Sequence, residues 1–394
     1  AKLGHVTLEI YEHGHVAHYH RSYTECSKEG DPSAPPVVLR PHVKTTNIKN
    51  IFVDMRHAWT EELNVAPSGA VDEFRRKKAR NDYPVMALWE MGLRGLRVPL
   101  QDLMDTATRR RMEIMFGVGH KFHIYRYGIP TEIEMEIIKK HSSIIEELEL
   151  VLGWETIDEQ VAEIQHLRTE TRLPIVLSRV NRNDASKTSG GKYNHLISHG
   201  FTLAEIPEIT SFIRKNPLLV DGVQFTIPRS VNPWNAGREL QAFKNDTDCK
   251  PTLYVKSTEA SPAQRFDDEI ANAIRFSEAV LSGIAFDIDI ILDTFDDADR
   301  GYFTRTGLID RRFNPRISGQ LISELIRQLD QGTWRAAVSE SAEVSDDKGN
   351  TIKIGTISEI TKGSEWHDPQ TGLSGDAASM SEVASKLVVI KSRQ

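Results

Sequence analysis

Two stretches of this sequence place reactive side chains directly after short apolar runs. The segment KPTLYVKSTEAS, residues 250–261, carries Lys256 and then Glu259 behind β-branched and aromatic residues. The segment ELELVLGWETID, residues 147–158, carries Glu155 in a similar position. A carboxylate can transfer protons or attack a substrate, and a lysine held among other charges can form a Schiff base with a carbonyl. Both stretches therefore mark candidate chemistry at the ends of strands.

The elements that must position these groups alternate along the chain from residue 48 onward. We predict eight strands, near residues 50–55, 94–98, 121–126, 147–152, 174–179, 221–226, 251–256 and 284–292. The helices that follow them are predicted near residues 69–91, 103–116, 131–141, 157–171, 203–215, 235–245, 262–281 and 316–329. Strict alternation predicts a parallel sheet. Eight such units over about 280 residues predict a closed (β/α)₈ TIM barrel of the α/β class.

The two ends of the chain look different from this central part, because they show short strands without intervening helices. We therefore divide the chain into an N-terminal β segment, residues 1–47, a barrel domain, residues 48–331, and a C-terminal β segment, residues 332–394. An isolated hairpin is marginally stable in water. We expect the two end segments to pack together as one small β-domain against the barrel.

Alternate residues of a barrel strand face the barrel axis, and the others face the helices. Applied to the predicted strands, this rule turns many charged side chains inward. They are Asp54, Arg56, Arg97, His123, Glu149, Lys256, Asp287 and Asp289. Buried charges are costly unless they pair or serve a function. The set indicates either compensated ion pairs in the barrel floor or a functional site.

Active sites of this fold lie at the C-terminal ends of the strands. Side chains that follow the predicted strands are therefore candidates for contacts with a substrate. These candidates are Arg56, His57, Trp59, Arg126, Tyr127, Trp154, Arg179, Asn181, Arg229, Lys256 and Asp293.

Three stretches resemble the clan-A glycoside hydrolases. The stretch LWEMGLRGLRVPLQDL resembles their second strand, KPTLYVKSTEAS their seventh, and RTGLIDRRFNPRISGQLISELI their C-terminal tail. The resemblance implies a hydrolase that cleaves a glycosidic bond with two carboxylates. It implies Glu259 as nucleophile, Arg97 as its partner and Glu155 as acid/base. The group usually has an Asn-Glu pair at this last position, whereas this chain has Trp154 before Glu155, and Glu149 is the other acid/base candidate.

Several features leave other functions open. Lys256 would suit a Schiff-base aldolase or lyase, with the nearby arginines holding a phosphorylated or carboxylated substrate. A non-catalytic carbohydrate-binding barrel is a further alternative. We expect no cofactor, although the stretch DTFDDADRGY offers oxygen ligands for a divalent metal. Those ligands would be Asp293, Asp296, Asp297 and Asp299.

Composition restricts the partners. The formal net charge is −7 and the pI is about 6.1, whereas proteins that bind nucleic acid are more often basic. No run of 18 apolar residues predicts a membrane span. No secretory signal is visible, and two distant cysteines favour a reducing compartment, so we expect a soluble cytoplasmic protein. The expected partner is a small molecule or oligosaccharide, the many arginines favour an anionic sugar, and a homo-oligomer is left open.

Overall fold

The computed structural model describes residues 48–55, 59–60, 62–65, 77–182, 197–257, 268–297, 306–339 and 341–393. In chain order its strands are β1 (Ile51–Asp54), β2 (Glu62–Val65), β3 (Lys77–Arg80), β4 (Gly95–Pro99), β5 (Lys121–Tyr127), β6 (Ile145–Leu152), β7 (Ile175–Arg182), β8 (Ile197–His199), β9 (Gly222–Ile227), β10 (Lys250–Val255), β11 (Asp289–Leu292), β12 (Arg335–Ala336), β13 (Glu343–Ser345), β14 (Thr351–Gly355), β15 (Ser364–His367), β16 (Ser374–Asp376) and β17 (Val388–Ser392).

The helices within the described residues surround these strands. They are α1 (Tyr83–Glu90), α2 (Leu100–Met104), α3 (Thr106–Gly117), α4 (Glu132–Lys140), α5 (Ile157–Thr171), α6 (Ile206–Lys215), α7 (Pro233–Thr247), α8 (Glu269–Phe286) and α9 (Ile317–Leu329). Among the described residues, no helix is long and apolar enough to cross a membrane.

Eight parallel strands close into a barrel. Around the barrel their order is β1, β4, β5, β6, β7, β9, β10 and β11. Strand β1 pairs with both β4 and β11, and β6 pairs with β7, so the ring has no open edge at these points. The sequence-based prediction of a TIM barrel is therefore confirmed. Strand β8 adds to β7 in antiparallel fashion, and β2 pairs with β3 in a separate hairpin.

Local sequence signals explain where the helices begin and end. Helix α4 starts with a capping box, in which Thr131 and Glu134 satisfy each other's backbone N–H groups. Helix α7 starts at Asn232, whose side chain accepts from a backbone N–H of the first turn, and Pro233 follows at its first position. The same helix ends at Asp248 in the left-handed conformation. By fixing where a helix begins and ends, such signals also limit where the next strand can begin.

The last predicted barrel strand begins later than its sequence suggests. The apolar run from residue 284 continues helix α8 as far as Phe286, and the strand starts only at Asp289. A short apolar run fits either a helix or a strand by periodicity alone, which explains the error. Asp287 ends the helix, and its side chain is 83% exposed and pairs with Lys244. The prediction that Asp287 faces the barrel interior is therefore wrong.

The first predicted helix is also shorter than expected. Residues 77–80 form strand β3, and helix α1 begins only at Tyr83, with Pro84 in its first turn. A proline cannot donate a backbone N–H and suits the start of a helix better than its interior. The helix predicted from residue 69 therefore does not extend across this stretch.

The C-terminal segment forms its own antiparallel sheet, in the order β12, β13, β14, β17, β15 and β16. Trp366 is fully buried in this sheet and packs with Val388 and Ile390. Gln328 of α9 bonds to His367 of β15, which connects the sheet to the barrel. The N-terminal segment that was predicted to join this sheet lies outside the described residues.

Close packing between α7 and α8 depends on a glycine. A methyl group on Gly237 would overlap Ser282 and lie 2.8 Å from a ring carbon of Phe286. The Trp234 and Phe286 rings already pack at 4.8 Å between their centroids. The two helices therefore have no room for a larger side chain at this position.

We expect Gly237→Ala to lower the free energy of unfolding by about 1–3 kcal/mol, because overpacking forces neighbouring groups apart. The matched control is Gly117→Ala at the end of α3, where an added methyl group meets nothing within 4 Å. That change should be neutral or stabilising by up to about 1 kcal/mol. Urea unfolding measures both variants, and equal effects would contradict the packing described above.

Candidate functional site

A buried arginine lies at the centre of the barrel. Arg97, on β4, has no exposed surface. Its Nε and Nη2 atoms donate to the two carboxylate oxygens of Glu149, on β6, at 2.6 and 3.0 Å. Its Nη1 atom donates to Asp54, the last residue of β1, at 3.2 Å. The guanidinium also lies over the ring of Tyr125, 3.9 Å from its centroid. One cation therefore joins three barrel strands through two carboxylates.

The Arg97–Glu149 pair is ionised. Burial alone would raise the pKa of Glu149, but the charges and hydrogen bonds of Arg97 and His123 outweigh it and lower the pKa well below its usual range. Burial lowers the pKa of Arg97, but the two carboxylates outweigh it and raise the pKa above its usual value. The bidentate geometry is the strongest form of such a pair.

His123, on β5, extends the network towards the N-terminal half of the barrel. Its Nε2 atom lies 3.0 Å from Glu149, and its Nδ1 atom lies 3.2 Å from Glu147. The Nδ1 contact is ionic rather than a well-aligned hydrogen bond. Burial lowers the pKa of His123, but the negative charges of Glu147 and Glu149 close to its ring outweigh it and raise the pKa to about 9. His123 is therefore a cation at neutral pH.

A second acidic group lies near the start of the strands. Asp289, the first residue of β11, is buried, and Lys250 Nζ lies 2.6 Å from its Oδ1 atom. Burial, together with the neighbouring charge of Glu147, raises the pKa of Asp289 to about 8. The Asp289 carboxyl is therefore mostly protonated at neutral pH, whereas the nearby histidine keeps Glu147 ionised.

On the other side of Asp54, a tyrosine connects two carboxyl groups. The hydroxyl of Tyr254, on β10, lies 2.6 Å from Asp54 Oδ2 and 2.7 Å from Asp293 Oδ1. Asp293 also accepts from the backbone N–H and the hydroxyl of Ser257, each at 3.1 Å. The ring of His199 packs edge-on against Tyr254, with 5.0 Å between ring centroids. This arrangement extends the polar network to the start of the segment after β10.

The predicted acid/base residue lies apart from this centre. Glu155 follows β6 in a short 3₁₀ turn, and its side chain is 79% exposed. It lies 3.6 Å from Arg179, which also binds Glu205. The structure thus brings Arg97 together with Glu149 and brings Glu155 together with Arg179. Glu155 is therefore exposed to solvent beyond the C-terminal end of β6.

The two tryptophans that were predicted to contact a substrate pack mostly against other side chains of the protein. Trp59 is 3% exposed, and its Nε1 atom donates to Asp102 at 2.9 Å. Trp154 is half-buried, packs against Phe201 and Phe212, and donates to Glu208. Trp154 therefore keeps part of its ring accessible at the mouth, whereas Trp59 does not.

The arginines that were predicted to contact a substrate bind other groups of the protein. Arg126, at the end of β5, binds Glu134 at 3.0 Å, and the neighbouring Tyr127 is 40% exposed. Arg229 donates to the backbone carbonyl of Ser257 at 3.3 Å. Asn181 lies on β7, in the part that pairs with β8.

Lys256 is half-buried directly after β10, and a buried arginine fixes its backbone. Arg275, on α8, donates to the Lys256 carbonyl at 2.9 Å and to the Arg229 carbonyl at 3.0 Å. It also donates to the carbonyls of Ile227, Pro228 and Val231. One side chain thus orders the segments that follow two neighbouring barrel strands.

The acidic stretch after β11 is held by hydrogen bonds. Asp297 accepts from Arg316 and from the backbone N–H of Gly307. Asp296 is buried and pairs through its backbone with Ile309. In the described part of the chain, no three His, Cys, Asp or Glu side chains are arranged to hold a metal ion.

Four predicted site residues lie outside the described residues, namely Arg56, His57, Glu259 and Asp299. Some residues that the structure brings into the network were not predicted from the sequence. Glu147 has the same strand parity as Glu149, and this signal could have found it. The hydroxyl contacts of Tyr254 and the carbonyl contacts of Arg275 depend on distant strands and leave no local pattern.

Comparison with known proteins supports the fold. No family model matches the chain, and no curated protein matches it. A family 39 glycoside hydrolase from the gut symbiont Bacteroides cellulosilyticus WH2 is similar in structure, with a TM-score of 0.52 and 10% identity over 87% of this chain and 79% of that one. At this identity the likeness concerns the fold alone.

Two further structures are more distant. An exo-β-1,4-mannosidase from Opitutaceae bacterium strain TAV5 has a TM-score of 0.37 and 10% identity over 64% of this chain and 55% of that one. A dihydrodipicolinate synthase from Agrobacterium tumefaciens str. C58 has a TM-score of 0.32 and 10% identity over 62% and 69% of the two chains. Neither likeness is close enough to carry an inference about chemistry.

We predict that His123 makes the barrel less stable in alkaline solution. Its folded pKa of about 9 lies above the ordinary value of 6.5. Its contribution is therefore fully present below pH 6.5 and is lost as the pH rises through about 9. The expected loss is on the order of 3 kcal/mol from His123 alone, and Asp289 acts in the same direction.

Urea unfolding between pH 6.5 and 9 measures this loss. The variant His123→Asn should show a smaller decline than the wild-type chain. The control is His166→Asn on the exposed side of α5, which should keep the wild-type decline. An unchanged decline in His123→Asn would contradict the assignment.

Proposed function

We propose that this chain is a glycoside hydrolase that acts at the C-terminal face of its barrel. The proposal assigns Glu259 as nucleophile, Glu155 as acid/base and Arg97 as the cation that keeps the nucleophile ionised. The observation that carries it is the buried Arg97 between Asp54 and Glu149. A guanidinium has five N–H donors, and the described contacts use three of them. Arg97 therefore retains donors for a further carboxylate.

The chemistry needs two carboxyl groups in different states. One must protonate the leaving glycosidic oxygen, and the other must attack the sugar or activate water. Glu155 is open to solvent beside Arg179, so a bound sugar can reach it. The distance between the two carboxyl groups decides whether the product retains or inverts its configuration, with about 5–5.5 Å for retention and about 6.5–9.5 Å for inversion.

An anionic sugar is the narrower form of the proposal. Its acidic group would bind arginines at the mouth. Arg126 and Arg179 already pair with glutamates, so an anionic substrate would have to exchange with Glu134 or Glu205. This point is tested by comparing kcat/KM for matched neutral, uronic and sulfated aryl glycosides. A consistent preference for the neutral substrates would contradict the proposal of an anionic sugar.

The proposal predicts that Glu259→Gln lowers kcat/KM on its best aryl glycoside by at least about a hundredfold, because an amide can neither attack nor accept a proton. Glu155→Gln should lower it similarly for poor leaving groups and much less for good ones, since a good leaving group needs little protonation. The matched control is Glu163→Gln, on the exposed side of α5, which should keep wild-type turnover.

Wild-type turnover in Glu259→Gln would contradict the proposal. Sugar binding without turnover by the wild-type chain would instead indicate a non-catalytic carbohydrate-binding barrel.

Lys256 supports a second candidate, a Schiff-base lyase or aldolase, because it lies half-buried at the end of β10 on a backbone that Arg275 fixes. Borohydride treatment with a carbonyl substrate would then trap a covalent adduct on Lys256. The variant Lys256→Arg, which keeps the positive charge, would form no adduct.

A further inference from the structure

Two buried carboxyl groups meet across the axis of the barrel. Glu147 lies on β6, and Asp289 is the first residue of β11. Three strands separate β6 from β11 in either direction around the ring, so the two strands form opposite walls. The side chains of Glu147 and Asp289 are nevertheless in hydrogen-bonding contact near the N-terminal ends of these strands. Their contact therefore spans the barrel interior.

A contact between two carboxyl groups needs a proton. Ionised carboxylates carry only acceptor oxygens, and two of them side by side repel each other. In the described part of the chain, neither oxygen of Asp289 has a well-aligned N–H or O–H donor, although Lys250 Nζ makes an ionic contact with Oδ1 at 2.6 Å. A protonated Asp289 can donate to Glu147, which gives both groups a partner.

The neighbouring groups decide which carboxyl holds this proton. Burial raises the pKa of Glu147, but the charge of His123, whose Nδ1 atom lies 3.2 Å away, outweighs burial and keeps the pKa below its usual value. Asp289 is only 1% exposed, and its burial and the charge of Glu147 favour its neutral form over the attraction of Lys250. We propose that Asp289 and Glu147 share one proton and form a pH-sensitive latch that joins β6 to β11 across the N-terminal end of the barrel.

The charged groups around the latch determine the pH at which it opens. His123 on β5 faces Glu147, Lys250 on β10 faces Asp289, and both are cations at neutral pH. Asp287, at the end of α8, adds a negative charge that acts on Lys250. The pKa of Asp289, which burial and the charge of Glu147 raise to about 8, lies in the mildly alkaline range. We therefore expect the latch to be closed at neutral pH and to open as the pH rises through that value.

One histidine connects the latch to the centre of the barrel. An ionised Asp289 would repel Glu147, so the contact between them would be lost. His123 holds Glu147 through Nδ1 and Glu149 through Nε2, and Glu149 binds Arg97. The state of the latch therefore acts on the carboxylate that pairs with the buried arginine. This role does not depend on the reaction proposed above, so it can be tested without a substrate.

Carbon-13 NMR of chains labelled in the aspartate carboxyl groups follows the ionisation of Asp289. The wild-type chain should show an aspartyl signal that titrates near pH 8, and Asp289→Asn should remove it. Glu147→Gln should lower the midpoint of this signal by about one pH unit or more, because the neighbouring negative charge is gone whereas Lys250 remains. Asp102, with a pKa raised by burial to about 6, titrates separately. The control Asp246→Asn, at an exposed position, should leave the signal unchanged.

Hydrogen exchange of backbone amides tests the opening itself. The amides of Leu148 and Ile290, each next to a latch residue, donate to backbone carbonyls of neighbouring segments. Between pH 6.5 and 8.5, after correction for the intrinsic exchange rate, we expect the protection of both amides to fall about tenfold in the wild-type chain. Asp289→Asn should keep its protection over this range, because an amide can donate to Glu147 and cannot ionise.

The variant Asp289→Asn should fold, because an amide has the shape of a protonated carboxyl. The proposal would be overturned if Asp289→Asn removed no signal that titrates near pH 8, or if Glu147→Gln left the midpoint of that signal unchanged. Equal losses of protection in Asp289→Asn and the wild-type chain would show that ionisation of Asp289 does not open this end of the barrel.

Discussion

The interior of this barrel depends on the burial of one guanidinium. Arg97 has no contact with solvent, and the cost of removing its charge from water must be offset inside the protein. Glu149 offsets it with two parallel hydrogen bonds, and Asp54 adds a third. Each of these carboxylates then needs further partners. Glu149 acquires His123, and Asp54 acquires Tyr254.

These second partners extend the network in two directions. His123 leads to Glu147 and so to the N-terminal ends of the strands, whereas Tyr254 leads to Asp293 and the C-terminal ends. A barrel interior can be filled with branched apolar residues, and apolar replacements of buried ion pairs are often neutral or stabilising. In this barrel the described charges of the network are instead paired with one another. The C-terminal branch ends where active sites of this fold are found.

The barrel architecture could be predicted from the sequence because most of its strands and helices have a local signature. Strand parity placed Arg97, His123 and Glu149 in the interior, and the structure confirms that all three are buried there. The alternation of inward and outward side chains was wrongly applied at Asp287, because the apolar run before it belongs to a helix.

The partners of the buried side chains could not be predicted from local patterns. The contact between Asp54 and Tyr254 joins residues 200 positions apart, and only closure of the barrel brings them together.

A double-mutant cycle between Arg97 and Glu149 measures how strongly the buried guanidinium depends on its main carboxylate partner. Arg97→Met and Glu149→Leu should each lower the free energy of unfolding by about 3–5 kcal/mol, because each leaves the other charge buried without its main partner. The double variant should cost clearly less than the sum of the two, since neither charge remains. Additive losses would show that the two side chains act independently, and they would contradict the account of Arg97 as the group on which the interior depends.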